Sequence, residues 1–147
     1  MNLTIRQAKK EDLPAVLSLF SQPGVDDGEV LSVEAAERIF DKMQSYPNYN
    51  LYVAVRNNSI IGSFALLIID NLAHMGASSG IVEDVMVSPS HQGQGVGREM
   101  MKYAQDISRE AGCYKLVVSS NKKRKEAHRF FETMGFKKHG YSFLIDL

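Results

Sequence analysis

The sequence has one cysteine, four prolines and no excess of either charge sign. A single thiol, Cys113, cannot build an internal disulfide framework, so the chain relies on its core and reads as a protein of a reducing compartment. Lysine and arginine number 17, as do aspartate and glutamate. That balance argues against nucleic acid as a partner, because such proteins carry a clear basic excess. The longest apolar stretch, Ile60 to Ile69, is broken by Gly62 and Ser63 and falls short of the about 20 residues that span a bilayer, so no membrane association is expected. Met1-Asn2-Leu3-Thr4 is not a basic segment leading into an apolar one, so no signal peptide is expected and a cytoplasmic location is. His74, His128 and His139 lack the close spacing of a metal-ligand motif, and no metal is expected.

What remains is ordinary globular composition: 147 residues, 44% hydrophobic and 23% charged, which suits a single domain over 1–147 with one sizeable core. Leu3, Ile5 and Gln7 alternate with Thr4, Arg6 and Ala8, as a strand does. Glu11, Asp12 and Pro14 open a helix that turns Leu13, Val16, Leu17 and Phe20 inward. Ser32 is placed to cap a second helix, with Val33, Ala36, Ile39, Phe40 and Met43 on one face. Leu51–Val55 and Ile60–Asp70 form a hairpin about Asn57-Asn58. Ile81–Val87 is a buried-type strand closed by Ser88-Pro89. A helix follows to about Ala111, then a strand at Tyr114–Ser119 and a helix from about Lys125 to Met134, stopped by Gly135. Short strands are expected at Phe136–Lys138 and Tyr141–Leu147. The order βααβββαβαββ is that of an α+β or mixed-sheet domain.

The segment His91-Gln92-Gly93-Gln94-Gly95-Val96-Gly97-Arg98 lies between the buried strand and an amphipathic helix. Glycines there let backbone N–H groups approach an anion, and the helix N-terminus adds positive partial charge, which is the chemistry of a pyrophosphate cradle. It is not a P-loop, since Arg98 follows Gly97 where a lysine is required. Nor is it a dinucleotide fingerprint, since Arg98 stands at the third glycine position. Taken alone, the glycines also suit a tightly packed helix entry.

The surroundings distinguish these readings. Gln92-x-x-Gly95-x-Gly97, preceded by Val85-x-Val87-x-Pro89, resembles motif A of the GNAT family of N-acetyltransferases. Asn121, Ala127-His128-Arg129-Phe130-Phe131 and Gly135-Phe136 resemble its motif B, and the element order is similar to the family fold over essentially the whole chain. Within the family, Gly80–Val85 and Gly112–Lys115 look similar to glucosamine-phosphate N-acetyltransferases, and Asn121–Arg129 to aminoalkylphosphonate N-acetyltransferases. The resemblance implies a mixed, mostly antiparallel sheet splayed between its fourth and fifth strands and flanked by about four helices. It implies acetyl-CoA as cosubstrate, a small-molecule amine as acceptor, direct attack in a ternary complex, and a homodimer.

The resemblance also implies roles for particular residues. The pantetheine arm would pair with the backbone of Val85, Met86 and Val87 as an added strand. The amides of Gln92, Gly93, Gln94, Gly95, Val96 and Gly97 would take the pyrophosphate, with Arg98 assisting. Asn121 would reach the pantetheine, and His128 and Phe131 would belong to the same wall. The basic run Lys122-Lys123-Arg124-Lys125 is either a solvated face or an attractor for the coenzyme's phosphates. An amine is mostly ammonium at neutral pH, so a base is needed. Glu83 is the first candidate, acting through a water, and Asp84 the second; strand alternation sends the two to opposite faces, so only one is expected in the cleft. Motif B normally carries a tyrosine where this chain has Phe131, so the leaving thiolate lacks its usual proton donor, and Tyr141 or Tyr103 are the substitutes to consider. The acceptor pocket is expected from Val25 to Leu31 and around Lys138 to Tyr141. Two other readings compete with a small-molecule enzyme: a non-catalytic acyl-CoA-binding module, and a peptide or protein N-acetyltransferase with an open groove.

Overall fold

In the computed structural model, which describes residues 2–147, the chain runs β1 (Thr4–Gln7), a 3-10 turn (Lys10–Asp12), α1 (Leu13–Phe20), α2 (Val33–Gln44), β2 (Tyr49–Arg56), β3 (Ser59–Ile69), β4 (Ser78–Val87), α3 (Val96–Glu110), β5 (Cys113–Val118) and α4 (Lys125–Thr133). The five strands lie in chain order in one sheet. Every neighbouring pair is antiparallel except β4 and β5, which run parallel. The mixed, mostly antiparallel sheet and the four α-helices match the expected architecture.

The period of two along β2 divides the core. Tyr52 and Ala54 face α3, where Phe64, Leu66, Val82, Val96, Met100, Met101 and Ala104 close around them. Leu51 and Val53 face the other way, toward Leu13, Val16, Leu17, Ala36 and Phe40 of α1 and α2. Each fully buried large apolar side chain in these layers contributes about 1.5–3 kcal/mol. Asn57 and Asn58, at φ of 51° and 60°, make the left-handed pair whose twist suits a two-residue hairpin. Ser32 caps α2 as expected, its Oγ accepting from the Ala35 N–H at 3.2 Å.

Two expectations are corrected. The inward face of α2 is narrower than its sequence period suggests. Ala36 and Phe40 are buried, but Val33 and Ile39 are 37% and 48% exposed, because α2 packs mainly on α1 and β2. The final strands are absent. Phe136 donates its N–H to the Phe131 carbonyl, and from Lys137 onward the described residues make no backbone hydrogen bond. Tyr141, Phe143, Leu144 and Ile145 are 82–92% exposed.

The start of α1 is fixed by charge. Asp12 is 7% exposed, accepts from Arg6 at 2.7 and 3.0 Å, and accepts from the Lys9 N–H at 2.7 Å. The Arg6 guanidinium, with help from that N–H, holds the Asp12 carboxyl below its ordinary pKa. A depressed folded-state pKa adds stability that is present above the unfolded carboxylate value and is lost as pH falls through the folded one. Asp12→Ala should therefore cost about 1.5–3 kcal/mol at pH 7, the range for hydrogen bonds to charged groups. Urea unfolding of both proteins at neutral pH and in strong acid tests this. The gap should shrink in acid; an equal gap at both pH values would remove the pair from the account.

Candidate active site

The parallel β4–β5 ladder runs from Ser78 and Cys113 to Val82 and Val118 and then stops. Beyond it the strands part around a cleft of about 920 Å³. One wall is Glu83 to Val87 of β4; the other is Val118, Ser119 and Ser120 after β5, with Lys123 to Ala127 at the start of α4. The glycine loop and the first turn of α3 close the end between them.

A β-bulge shapes the first wall. In the β3–β4 ladder Ala65 pairs with Glu83 and Ser63 with Met86, so Asp84 and Val85 together oppose Phe64. Asp84 takes a left-handed φ of 52° to make the bulge, a conformation its short polar side chain tolerates. The extra residue breaks the alternation, and Glu83 and Asp84 both line the cleft, which corrects the expectation that only one would. The phenol of Tyr49 is pushed up, by burial first and then by the negative charges of Asp84 and Glu83. That places β2 within electrostatic reach of the pair, a neighbour that sequence reading missed because the link is made across three strands.

Val85, skipped by the ladder, keeps its backbone available to the cleft. The Val87 carbonyl is already engaged, accepting from both Gln22 Nε2 and Gln92 Nε2 at 3.1 Å. Gln22, 65 residues away in sequence, had no local signal. A ligand donor aimed at that carbonyl meets these two amides.

At the closed end, Gly95 is the N-cap of α3 at φ 81°, with open space where a Cβ would stand. The first helical bond runs from the Glu99 N–H to the Gly95 carbonyl, so the N–H groups of Val96, Gly97 and Arg98 lack helical partners. Gly97 packs closely under α4: a Cβ there would stand 3.2 Å from Phe130 Cζ, so the ring would have to give by a few tenths of an ångström. Gln92, Gly93, Gly95, Val96, Gly97 and Arg98 line the cleft with Met86. Gln94 turns away: its amide accepts from Arg56 at 2.9 Å and donates to the Ser90 carbonyl at 2.9 Å.

On the far wall, Lys123, Arg124 and Lys125 line the cleft opposite the helix end, so three of the four residues of the basic run face the cleft. Asn121 and His128 are engaged with each other and with the turn. Asn121 Oδ1 accepts from the Lys123 N–H at 2.9 Å, and its carbonyl lies 2.8 Å from His128 Nε2. They shape the entry of α4 and are not among the lining residues. Phe131 lines the cleft, wedged between Phe130 and Phe136 at ring distances of 5.3 and 5.6 Å. Tyr141 is 90% exposed and does not line the cleft, and Tyr103 packs edge-on against Tyr52 at 5.5 Å under α3. Neither is brought to the cleft: Tyr103 is held in the core by α3, and Tyr141 lies in the unpaired tail. Of the expected acceptor loops, only Val25 and its neighbour Gly24 line the cleft. Cys113 is half-buried, and burial pushes its thiol pKa up, as befits a packing residue. Among the described residues no cluster of His, Cys, Asp or Glu is arranged to hold a metal, and no helix is long and apolar enough to cross a membrane.

The residues present suit a long ligand with an anionic end. The orphan amides at Gly95 are matched by facing cations, and Ser120 Oγ is buried on the wall without a partner. Comparisons agree. Residues 13–136 match the acetyltransferase (GNAT) family, whose members generally use acetyl-CoA. The chain is 28% identical over 139 residues to the aminoalkylphosphonate N-acetyltransferase of Salmonella typhimurium, covering 95% of this chain and 88% of that protein. It is 36% identical over 88 residues to the glucosamine 6-phosphate N-acetyltransferase of Trypanosoma brucei brucei, covering 60% of this chain and 58% of that one. A solved putative acetyltransferase from Agrobacterium tumefaciens superposes at a TM-score of 0.90 with 27% identity, over 98% of this chain and 99% of the other. The parted strands, the glycine-capped helix end and the match over most of the sequence have one reading: the chain belongs to the GNAT family of N-acetyltransferases.

Proposed function

We propose that the protein transfers the acetyl group of acetyl-CoA to the primary amine of a small molecule by direct attack within a ternary complex. The observation that carries this is the cleft itself: one opening holds unpaired helix-end amides, facing cations, an open strand edge and two carboxylates. Bound acetyl-CoA supplies a thioester carbon for the amine nitrogen, the C–N bond forming as the C–S bond breaks. The amides of Val96, Gly97 and Arg98, with Lys123, Arg124 and Lys125, hold the pyrophosphate. Val85 pairs with the pantetheine arm, and Ser120 Oγ gains a partner there. Glu83, through a water, takes the ammonium proton, with Asp84 beside it. The freed N–H at the bulge is the donor available to a developing oxyanion. The named acceptors of the two relatives above are amines that bear an anionic phosphorus group, which makes such amines the first to test. The lone, half-buried thiol suits a cytoplasmic setting.

A second reading, a non-catalytic acyl-CoA-binding module, draws on one observation: no tyrosine is among the residues that line the cleft, and Phe131 has no proton to give. A thiol pKa of about 8–9 makes the thiolate a tolerable leaving group even so. Wild-type protein should release free thiol from acetyl-CoA with at least one amine of a broad panel. Phe131→Tyr should keep the fold and raise turnover, since it adds one oxygen to a side chain at the cleft. Coenzyme binding with no thiol release from any amine would establish the second reading.

A further inference from the structure

Arg56 is a half-buried cation with no carboxylate. It ends β2, paired with Ser59 across the left-handed Asn57-Asn58 turn, so an ordered ladder anchors it. It continues the face of β2 on which Tyr52 and Ala54 look toward α3. Among the described residues it joins no ion pair. Its Nε is buried without a partner, and its Nη1 donates to a neutral oxygen, Gln94 Oε1, at 2.9 Å. Taking charge out of water is costly unless it is paired, so stability alone does not account for this arrangement.

The contact leads into the glycine loop. Gln94, 38 residues further along the chain, also donates from Nε2 to the Ser90 carbonyl at 2.9 Å, so one side chain ties β2 to the start of the loop. Ser90 Oγ lies 3.0 Å from Nδ1 of His91, which lines the cleft. On either side of Gln94, Gly93 and Gly95 hold φ of 73° and 81°. Glycine is the residue with most freedom to leave such a conformation. The free amides of Val96, Gly97 and Arg98 come next. A loop that offers several N–H groups to one anion binds it better when they are ordered beforehand.

On the reading of this loop as the pyrophosphate site, we propose that Arg56 is a positioning residue for the coenzyme: it braces the loop from behind through Gln94 and leaves its positive charge unneutralised beside the anion. The neutral amide is what allows both. A carboxylate at position 94 would brace the loop as firmly but would cancel the charge. Gln94 transmits the hydrogen bond and leaves the guanidinium field to add to those of the helix end and of Lys123, Arg124 and Lys125 on the far wall.

Backbone ¹⁵N relaxation of the free protein and calorimetric titration with coenzyme A, at low and high salt, test this on Arg56→Met, Arg56→Lys and Gln94→Glu. In Arg56→Met the order parameters of Gly93 and Gly95 should fall from about 0.85 toward about 0.6. Its Kd for coenzyme A should rise about tenfold, a gap that narrows at high salt. With acetyl-CoA and one accepted amine, its KM for acetyl-CoA should rise while kcat stays level. Arg56→Lys keeps the charge and a donor, and should recover most of the affinity. Gln94→Glu should keep the loop ordered and still bind coenzyme A more weakly. A rigid loop and unchanged Kd in Arg56→Met, a loss confined to kcat, or wild-type affinity in Gln94→Glu would each overturn the proposal while the wild type still binds coenzyme A. A wild type that binds no coenzyme A would instead overturn the coenzyme reading, and this role of Arg56 with it, even if Arg56→Met loosens the loop.

Discussion

Gly95→Asp should leave the protein folded and abolish its affinity for coenzyme A. Gly95 caps α3 at φ 81° with nothing within 4 Å of the position a Cβ would take, so the new side chain meets open space. The left-handed conformation costs a non-glycine residue about 1–2 kcal/mol, less for aspartate than for most. Against that, an aspartate at an N-cap accepts from the free amides of the first turn and opposes the helix dipole, recovering about 1 kcal/mol. Stability therefore moves little. Binding does not escape, because those amides are the ones proposed to hold the pyrophosphate. Two like charges 4 Å apart repel by about 4 kcal/mol at an effective dielectric of 20, which is about a thousandfold in Kd. Gly95→Ala is the control: it carries the backbone cost without the charge and should lose far less. Calorimetric titration with coenzyme A, beside a thermal melt of each free protein, separates the two effects. An unchanged Kd in Gly95→Asp would place the coenzyme elsewhere.

The glycine loop was legible in the sequence because its physics is local. A left-handed cap, orphan amides and a strand leading into a helix are all set within a few residues of Gly95, and the motif stands in the primary sequence. The strand periods and the Ser32 cap were legible for the same reason. What could not be read depended on partners distant in sequence. The amide of Gln22 on the Val87 carbonyl and the reach of Tyr49 toward the carboxylates belong to tertiary placement. Asn121 shows the limit in the other direction. The motif resemblance implies a coenzyme contact for it, and nothing in the sequence signalled that its Oδ1 also closes a turn by accepting from the Lys123 N–H. The alternation of the tail predicts a strand, but alternation alone does not make one: a strand also needs a ladder of backbone hydrogen bonds, and the tail makes none.

The bulge at Asp84 decides how the two carboxylates must be tested. Both line the cleft, so proximity alone does not choose between them. Glu83 is the last residue in register with β3 before the bulge, paired with Ala65, and its backbone is held by the ladder. A base has to keep its geometry while a proton moves, and a residue fixed in the sheet does so better than one in a left-handed kink. Asp84 also has a conformational reason to be where it is, because aspartate and asparagine accept φ near 52° at less cost than most residues. Asp84→Asn keeps that tolerance and removes only the charge, so it should preserve the bulge and lower turnover modestly. Glu83→Gln keeps the size and hydrogen-bonding reach of the side chain but cannot take a proton. It should lower turnover at neutral pH by about 10²–10⁴, the usual contribution of a positioned base, with coenzyme affinity unchanged. Raising the pH should narrow the deficit, since more of the amine then arrives already deprotonated. Steady-state rates of thiol release for the two variants, measured from neutral to alkaline pH with one accepted amine, make the comparison. A large loss in Asp84→Asn beside a nearly intact Glu83→Gln would move the base to the bulge residue.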